Sequence, residues 1–527
     1  MSRLRIHLAL AAASMLAAVA CWVPDLPWLD GKACDDVHLC IRGVCLAGQC
    51  VLTPPGKDAS TLTPVLVARS TLHALDDGTV ASVQEVPANL DMLVETTGGT
   101  FVTLQPTAAD AGLMVFWDAP PGQAYVLRLG SRHFVSDAGF VDLSERVLGR
   151  PDLTAPSPGT KLRSQVGCLN SWEALDEIQL TSAGAGLGAV DLATLPGWTP
   201  PAVGTGSLDT SQPWTTAATP GLIQTPRGDH PIYVQLEHST QNQARADGGG
   251  QVATDRWMGK RAQFDFPLDM QDGVETTLSL GGCKDINPRS APQYAVRGAA
   301  FGDHVGELGP GATLTGLTSD VRLGIWPAGP GATSYRTGWS TPDDVTVNPQ
   351  TPNSSPYPAT WALEADAVMS GIVPVVLQLG DAGSTIAYEK VVMATRRPFP
   401  VTGNELAPAL SPPQLVAVNG QDATAGLTSV GMQPEVTWTA PALGTPAGYE
   451  VAVWRQQDPS RQKLPRLEGT IWTDVPRVRI PPGLMTPQAT YVLHVRAVAA
   501  PMDPRRAPLL VGLPYDEAET VTGLLEP

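Results

Sequence analysis

A chain of 527 residues, 43% of them hydrophobic, can bury real cores and is too long for a single small one, so three or four domains of ordinary size are expected. The formal net charge of −17, from 34 Lys and Arg against 51 Asp and Glu, would repel a polyanion; with no basic run or aromatic platform, this argues against nucleic acid as a partner. Gly and Pro, 52 and 50 residues, stay below the share that marks low-complexity disorder.

The first twenty residues read as a signal peptide. Arg3 and Arg5 precede an apolar run over residues 8–20 that is too short to span a bilayer and ends in small side chains. The stretch Ala18-Val19-Ala20-Cys21 resembles the lipobox of bacterial lipoproteins, with Ala18 where those more often carry Leu. That resemblance implies cleavage before Cys21, diacylation of its sulfur with palmitate-type chains and acylation of its new amino group. Each buried methylene contributes roughly 0.8 kcal/mol, and two or more chains hold a protein on its membrane stably. Trp22 in place of an Asp favours, by the same resemblance, the outer membrane. Ordinary cleavage nearby, with Cys21 left as a spare thiol, is the alternative. No later stretch approaches the roughly eighteen consecutive apolar residues of a spanning helix.

Residues 21–50 form the acyl anchor and a cysteine-rich segment holding Cys34, Cys40, Cys45 and Cys50, with a glycine two residues before each of the last two. So short a stretch cannot build a core, and two disulfides would hold it. A four-thiolate zinc site is the competing reading, but the spacing lacks a C-x₂-C knuckle and the address is oxidising. Three pairings are open. Residues 51–63, with Pro54-Pro55-Gly56 among Ser and Thr, read as a linker.

Short alternating runs separated by Gly, Pro and Asp then predict an all-β chain of tandem β-sandwich domains. Residues 64–152 are the first sandwich, with strands at 101–104, 113–117 and 124–129. Residues 153–297 are the second, with strands at 232–236, 262–266 and 275–280, and a helical turn at 170–178, where Asn170 and Glu173 have capping-box spacing. Cys168 and Cys283 would tie its ends. Residues 298–402, with strands at 321–326 and 372–379, are either a further β-rich domain or a continuation.

Residues 409–527 give seven strand candidates, at 414–418, 435–439, 449–455, 467–472, 477–480, 491–498 and 519–525, the count of a Greek-key sandwich. Here Val436-Thr-Trp438-Thr-Ala-Pro441, Gly448-Tyr449-Glu-Val451 and the run from Met485 through Pro487 and Tyr491 to Ala497 resemble the fibronectin type III family. The resemblance implies a core tryptophan at Trp438 and a tyrosine corner at Tyr491, its phenol bonded to upstream backbone. Met485 for Leu and a long tail at residues 500–508 depart from the pattern. The chain as a whole also resembles large lipoproteins of Gram-negative bacteria with a Cys-rich start and stacked sandwiches.

Chemistry-bearing motifs are sparse: no G-x-S-x-G, H-E-x-x-H, Walker A or EF-hand pattern occurs. His230 and His238, with Asp229, Glu237 and Asp255 nearby, could be imagined as a hydrolytic or metal site, against solvated strand ends. Arg227-Gly228-Asp229 matches a cell-adhesion tripeptide, and Asp269 to Gly273 could be a calcium loop or a β-turn. Trp454, placed by alternation opposite Tyr449 and so outward, is the binding candidate among thirteen tryptophans. These readings lead to a non-enzymatic cell-envelope lipoprotein, without metal or cofactor, that displays sandwich surfaces to a protein or polysaccharide. The alternative is an envelope hydrolase with its site on loops of residues 153–402.

Overall fold

The computed structural model describes residues 43–46, 49–52 and 64–527, except 88, 109–112, 120–121, 216–220, 246–247, 287, 325–332, 353–360, 379–383 and 457–464. The expected signal peptide, Cys21, Cys34, Cys40 and nearly all of the expected linker lie outside the described residues, as do the side chains of Cys45 and Cys50.

The molecule is all-β, and its sandwiches share one 17-stranded sheet. In chain order its strands are β1 Leu90–Glu95, β2 Phe101–Leu104, β3 Tyr125–Leu129, β4 Arg132–Ser136, β5 Glu177–Ser182, β6 Leu187–Asp191, β7 Ile232–Ala244, β8 Gln251–Phe264 and β9 Lys284–Asp285. They continue as β10 Thr313–Gly324, β11 Thr333–Trp339, β12 Ala362–Gln378, β13 Ser384–Pro398, β14 Gly448–Gln456, β15 Arg466–Thr473, β16 Thr490–Ala499 and β17 Tyr515–Val521. Hydrogen bonding runs β6-β5-β7-β8-β11-β10-β12-β13-β17-β16-β14-β15-β4-β3-β1-β2, with β9 also on β8. Because β8 pairs with β11 from Asp255↔Gly338 to Met258↔Tyr335, residues 153–297 and 298–402 are parts of one sheet.

Smaller sheets complete the sandwiches by covering the apolar faces. In the first, Val65–Ala68 and Leu113–Phe116 close over β1 and β3, burying Val67, Met92, Phe116, Leu127 and Val141. In the second, Lys161–Val166 pairs with Leu208–Pro213 and, in parallel, with Glu275–Leu280. Just past those parallel strands Cys168 and Cys283 are bonded, Cα atoms 5.4 Å apart, closing a sequence separation of 115 residues. A loop of that order loses about 4.7 kcal/mol of unfolded-state entropy on closure. In the C-terminal sandwich, Gln414–Val418, Glu435–Thr439 and Arg477–Arg479 pack Val436, Trp438 and Val478 against Tyr449, Val451 and Leu493 of the main sheet. Trp438 meets Tyr449 edge to face at 5.2 Å, and the buried Tyr491 phenol accepts a hydrogen bond from the Thr486 N–H at 2.8 Å.

Three expectations change. Residues 170–178 form no helical turn: the Asp176 carboxylate accepts the Glu173 N–H at 3.1 Å and the His238 N–H at 2.8 Å, which fixes a turn before β5. Trp172 and Ile178 are buried but Leu175 is exposed, so they share no face. The last strand is Tyr515–Val521, not 519–525, because its register with β13 begins at Tyr515, opposite Arg396. And β7, β8 and β12 run far beyond the predicted apolar cores, to 13, 14 and 17 residues, β7 through the polar run Glu237 to Gln243 and β12 through a mixed run that includes Glu364 and Asp366.

One face of the main sheet is polar yet covered. Across it Arg336 bonds Asp320 at 3.1 Å and stacks over Trp257 at 5.9 Å, while Arg396 stacks over Tyr515 at 5.4 Å and Arg322 pairs with Asp366. Glu177 of β5 reaches Arg336 at 3.1 Å although β7 and β8 lie between their strands, so the sheet curls toward this face. Among the described residues no helix is long and apolar enough to cross a membrane.

Candidate functional site

Two seams join the C-terminal sandwich to the rest, and the candidate site lies beside the first. There β4 and β15 pair in parallel over Arg132↔Thr470, His133↔Ile471 and Phe134↔Trp472. The approach is close enough that a Cβ on Gly469 would stand 2.3 Å from the Ser131 carbonyl oxygen, which instead accepts the Thr470 N–H at 3.0 Å. Phe134 enters the first core, with Trp472 packed against it, and Val135 packs against the C-terminal core. His133, 1% exposed, is held neutral: burial pushes its pKa down to about 4. The tail at residues 500–508 is a clamp here, since Arg505 ion-pairs with Asp137 and Asp474 and its carbonyl accepts the Ser136 hydroxyl at 2.7 Å.

Beside this seam opens a groove of about 330 Å³. Leu93, Phe101, Val126 and Val135, on one face of β2-β1-β3-β4, form one side, and the strand Arg477–Arg479 with Val475 forms the other. That strand ends its own four-stranded sheet, pairing among the described residues with Glu435–Thr439 alone. The apolar lining carries a charged rim of Glu95, Glu435, Arg477 and Arg479. Arg479 donates to Glu95 at 2.7 Å and to the Gln433 carbonyl at 3.2 Å. The Tyr125 hydroxyl donates to the Ala138 carbonyl, and burial pushes its pKa up to about 12.

At the second seam β13 and β17 pair antiparallel from Met393↔Ala518 to Arg396↔Tyr515. Its flank is a buried ionic network. His494 Nε2 lies 3.3 Å from Glu389 and Nδ1 3.7 Å from Glu519, while Arg496 is 3.3–3.4 Å from Glu450, Glu517 and Glu519. Burial alone would lower the His494 pKa, but the Glu389 and Glu519 carboxylates outweigh it and raise it to about 9. Trp454 lies over this network, half-buried, with its ring 5.9 Å from His494.

A third contact closes the set. Asp76, from the first sandwich, accepts the N–H groups of Ala183, Gly184 and His230 and the Ser182 hydroxyl at 2.6–3.0 Å, and Arg150 pairs with the buried Asp229 at 2.5 Å. Only glycine fits at 184, where a Cβ would stand 2.5 Å from Asp229 and 2.8 Å from Asp76.

The other residues singled out by motif do not converge. His238 meets Asp255 at 3.1 Å, but His230 pairs with Asp265 at 3.0 Å and lies eight residues away, about 26 Å along an extended strand. Glu237 ion-pairs with Lys260 at 3.6 Å. Asp229 of the adhesion tripeptide is 2% exposed and committed to Arg150, so it cannot be presented. Asp272 sits in a turn and accepts the Ser157 N–H at 2.6 Å, bonds that hold its carboxyl below the usual range. Among the described residues no group of three His, Cys, Asp or Glu is arranged to hold a metal ion.

The groove residues had no distinctive sequence signal: Arg477-Val478-Arg479 reads as an ordinary alternating strand, and its neighbour across the groove is some 380 residues earlier. Compared with protein-family models and with curated proteins, the chain gave no match to either.

Proposed function

We propose that the chain is a cell-envelope lipoprotein, anchored through Cys21, whose fused sandwiches hold a protein or polysaccharide partner without catalysing a reaction. The observation that carries the binding role is the groove between the first and C-terminal sandwiches. It is built from two units held in fixed register, its lining carries apolar side chains from both, and one of its two acids, Glu95, is tied to Arg479. An apolar concavity with a few polar groups at its rim is what ligand sites generally require. The fibronectin type III-like reading of the C-terminal sandwich is supported by the Tyr491 to Thr486 bond and by Trp438 in the core. The signal peptide and the lipobox-like Ala18 to Cys21 support the address.

Expression in a Gram-negative host, with Cys21→Ala as control, tests the anchor: acylated wild type in membranes and a soluble variant are expected, and two unacylated soluble proteins would refute it. A photo-crosslinker at Arg477 tests the groove. Capture of an envelope component that Ala124→Trp, a substitution in the groove lining, abolishes is expected; equal capture by both proteins would place binding elsewhere.

A further inference from the structure

The strands Gly43–Leu46 and Gln49–Leu52 form an antiparallel hairpin, and its register sets Leu46 opposite Gln49, Cys45 opposite Cys50, Val44 opposite Val51 and Gly43 opposite Leu52. Only Ala47 and Gly48 connect them. In a two-residue hairpin the pair that flanks the loop exchanges the hydrogen bonds, and bonded and non-bonded pairs then alternate outward. Leu46 and Gln49 take the bonded position, which leaves Cys45 and Cys50 as the first non-bonded pair. Such pairs bring their Cα atoms to about 4.5 Å and lie on one face of the ribbon. A disulfide needs about 4.4–6.8 Å, whereas residues further along the ribbon diverge or lie on the other face.

We propose that Cys45 and Cys50 are bridged to each other across this hairpin. Since Cys168 and Cys283 are already bonded, and Cys21 is the cysteine of the signal-peptide boundary, Cys34 and Cys40 are then left to pair. The three pairings open to the sequence reduce to one. The cysteine-rich segment becomes two small loops in tandem, each closed on itself, instead of an interlocked knot. The competing pairings each send Cys45 and Cys50 to separate partners and require two cysteines held opposite one another to ignore each other.

The bridge forms by two thiol–disulfide exchanges with a disulfide-bearing oxidant of the compartment. One cysteine thiolate attacks an oxidant sulfur and expels the other as thiolate; the second cysteine thiolate then displaces the oxidant from the mixed disulfide. Two protons and two electrons leave the cysteine pair, and the oxidant disulfide ends as a dithiol.

The sequence supplies a decisive test, because Arg42 lies between the two proposed bridges and Lys32 and Lys57 flank them. The full-length mature protein is denatured without reductant, its free thiols are alkylated, and it is cut with trypsin. The proposal expects peptides 33–42 and 43–57 as separate species, each unalkylated and lighter by two hydrogen atoms than its reduced form. Either competing pairing would instead hold the two peptides together as one cross-linked mass until reduction. A cross-linked mass overturns the proposal, as does alkylation of Cys45 and Cys50, which would mark free or metal-held thiolates. Cys50→Ser gives an independent arm: Cys45 alone should become alkylatable, and exposure of Cys34 or Cys40 in its place would overturn the assignment.

Discussion

The two seams of the C-terminal sandwich solve one problem in opposite ways. Both join strand edges that would otherwise be exposed. At β4 and β15 the join is three residues long: its histidine is buried and kept neutral, and Trp472 and Val135 each pack against the core of the other unit. At β13 and β17 the join is lined by charge, and its histidine is kept protonated between two glutamates. Apolar contact fills space without fixing register, whereas an ionic network tolerates only the pairing that satisfies every member. The short seam relies on shape, and the charged seam on identity.

The largest effect is expected from breaking the charged seam by halves. His494→Leu leaves Glu389 buried without its cation and takes from Glu519 one of two, Arg496 remaining, and should cost about 3–5 kcal/mol, read from urea unfolding. The double variant His494→Leu with Glu389→Leu should recover part of that loss; no recovery would mean that shape, not pairing, holds this seam too.

Next in size, pH should attack the two seams from opposite sides. His494 has a folded pKa of about 9 against an ordinary value of 6.5, so the folded state binds its proton more tightly. Its contribution, about 3 kcal/mol by linkage, is fully present below pH 6.5 and is lost as pH rises through 9. His133 runs the other way. With a folded pKa of about 4, the unfolded chain takes up its proton first, and stability falls by about 3 kcal/mol as pH drops from 6.5 to 4. Unfolding midpoints followed across pH should show His133→Leu flattening the acid limb alone and His494→Leu the alkaline limb alone.

Gly469→Val should cost about 1–3 kcal/mol, since its Cβ would collide with the Ser131 carbonyl and push β15 off β4. Calorimetry should then split one transition into two; a single, merely cooler transition would show that the tail clamp suffices. The smallest effect belongs to Arg479→Ala, which removes a half-exposed ion pair with Glu95 worth under about 1 kcal/mol. It should leave stability nearly unchanged while altering capture at the groove.

Much of the fold was legible because a strand's apolar alternation is local. Residues 101–104, 275–280, 414–418 and 435–439 are strands with the predicted bounds. What alternation cannot express is which edge meets which. Glu517, Glu519, His494 and Arg496 have the pattern of a wet face, yet Glu389 of β13 and Glu450 of β14 meet them there, and Glu517, Glu519 and His494 are buried. The absent helical turn has the same root: Asp176 falls inside the stretch with capping-box spacing, while its carboxylate serves a strand more than sixty residues later. The groove was illegible for the same reason, its two sides being remote in sequence.

The order of hydrogen bonding ignores the order of the chain, and this has a practical result. The connection near residues 406–413 carries no strand of the main sheet, yet the parts before and after it meet at both seams. A gene cut there would yield two polypeptides, each lacking a neighbour for its edge strand and each able to supply what the other lacks. Co-expressed, they should find one another and copurify, which would turn this molecule into a split pair whose reassembly reports on the seams.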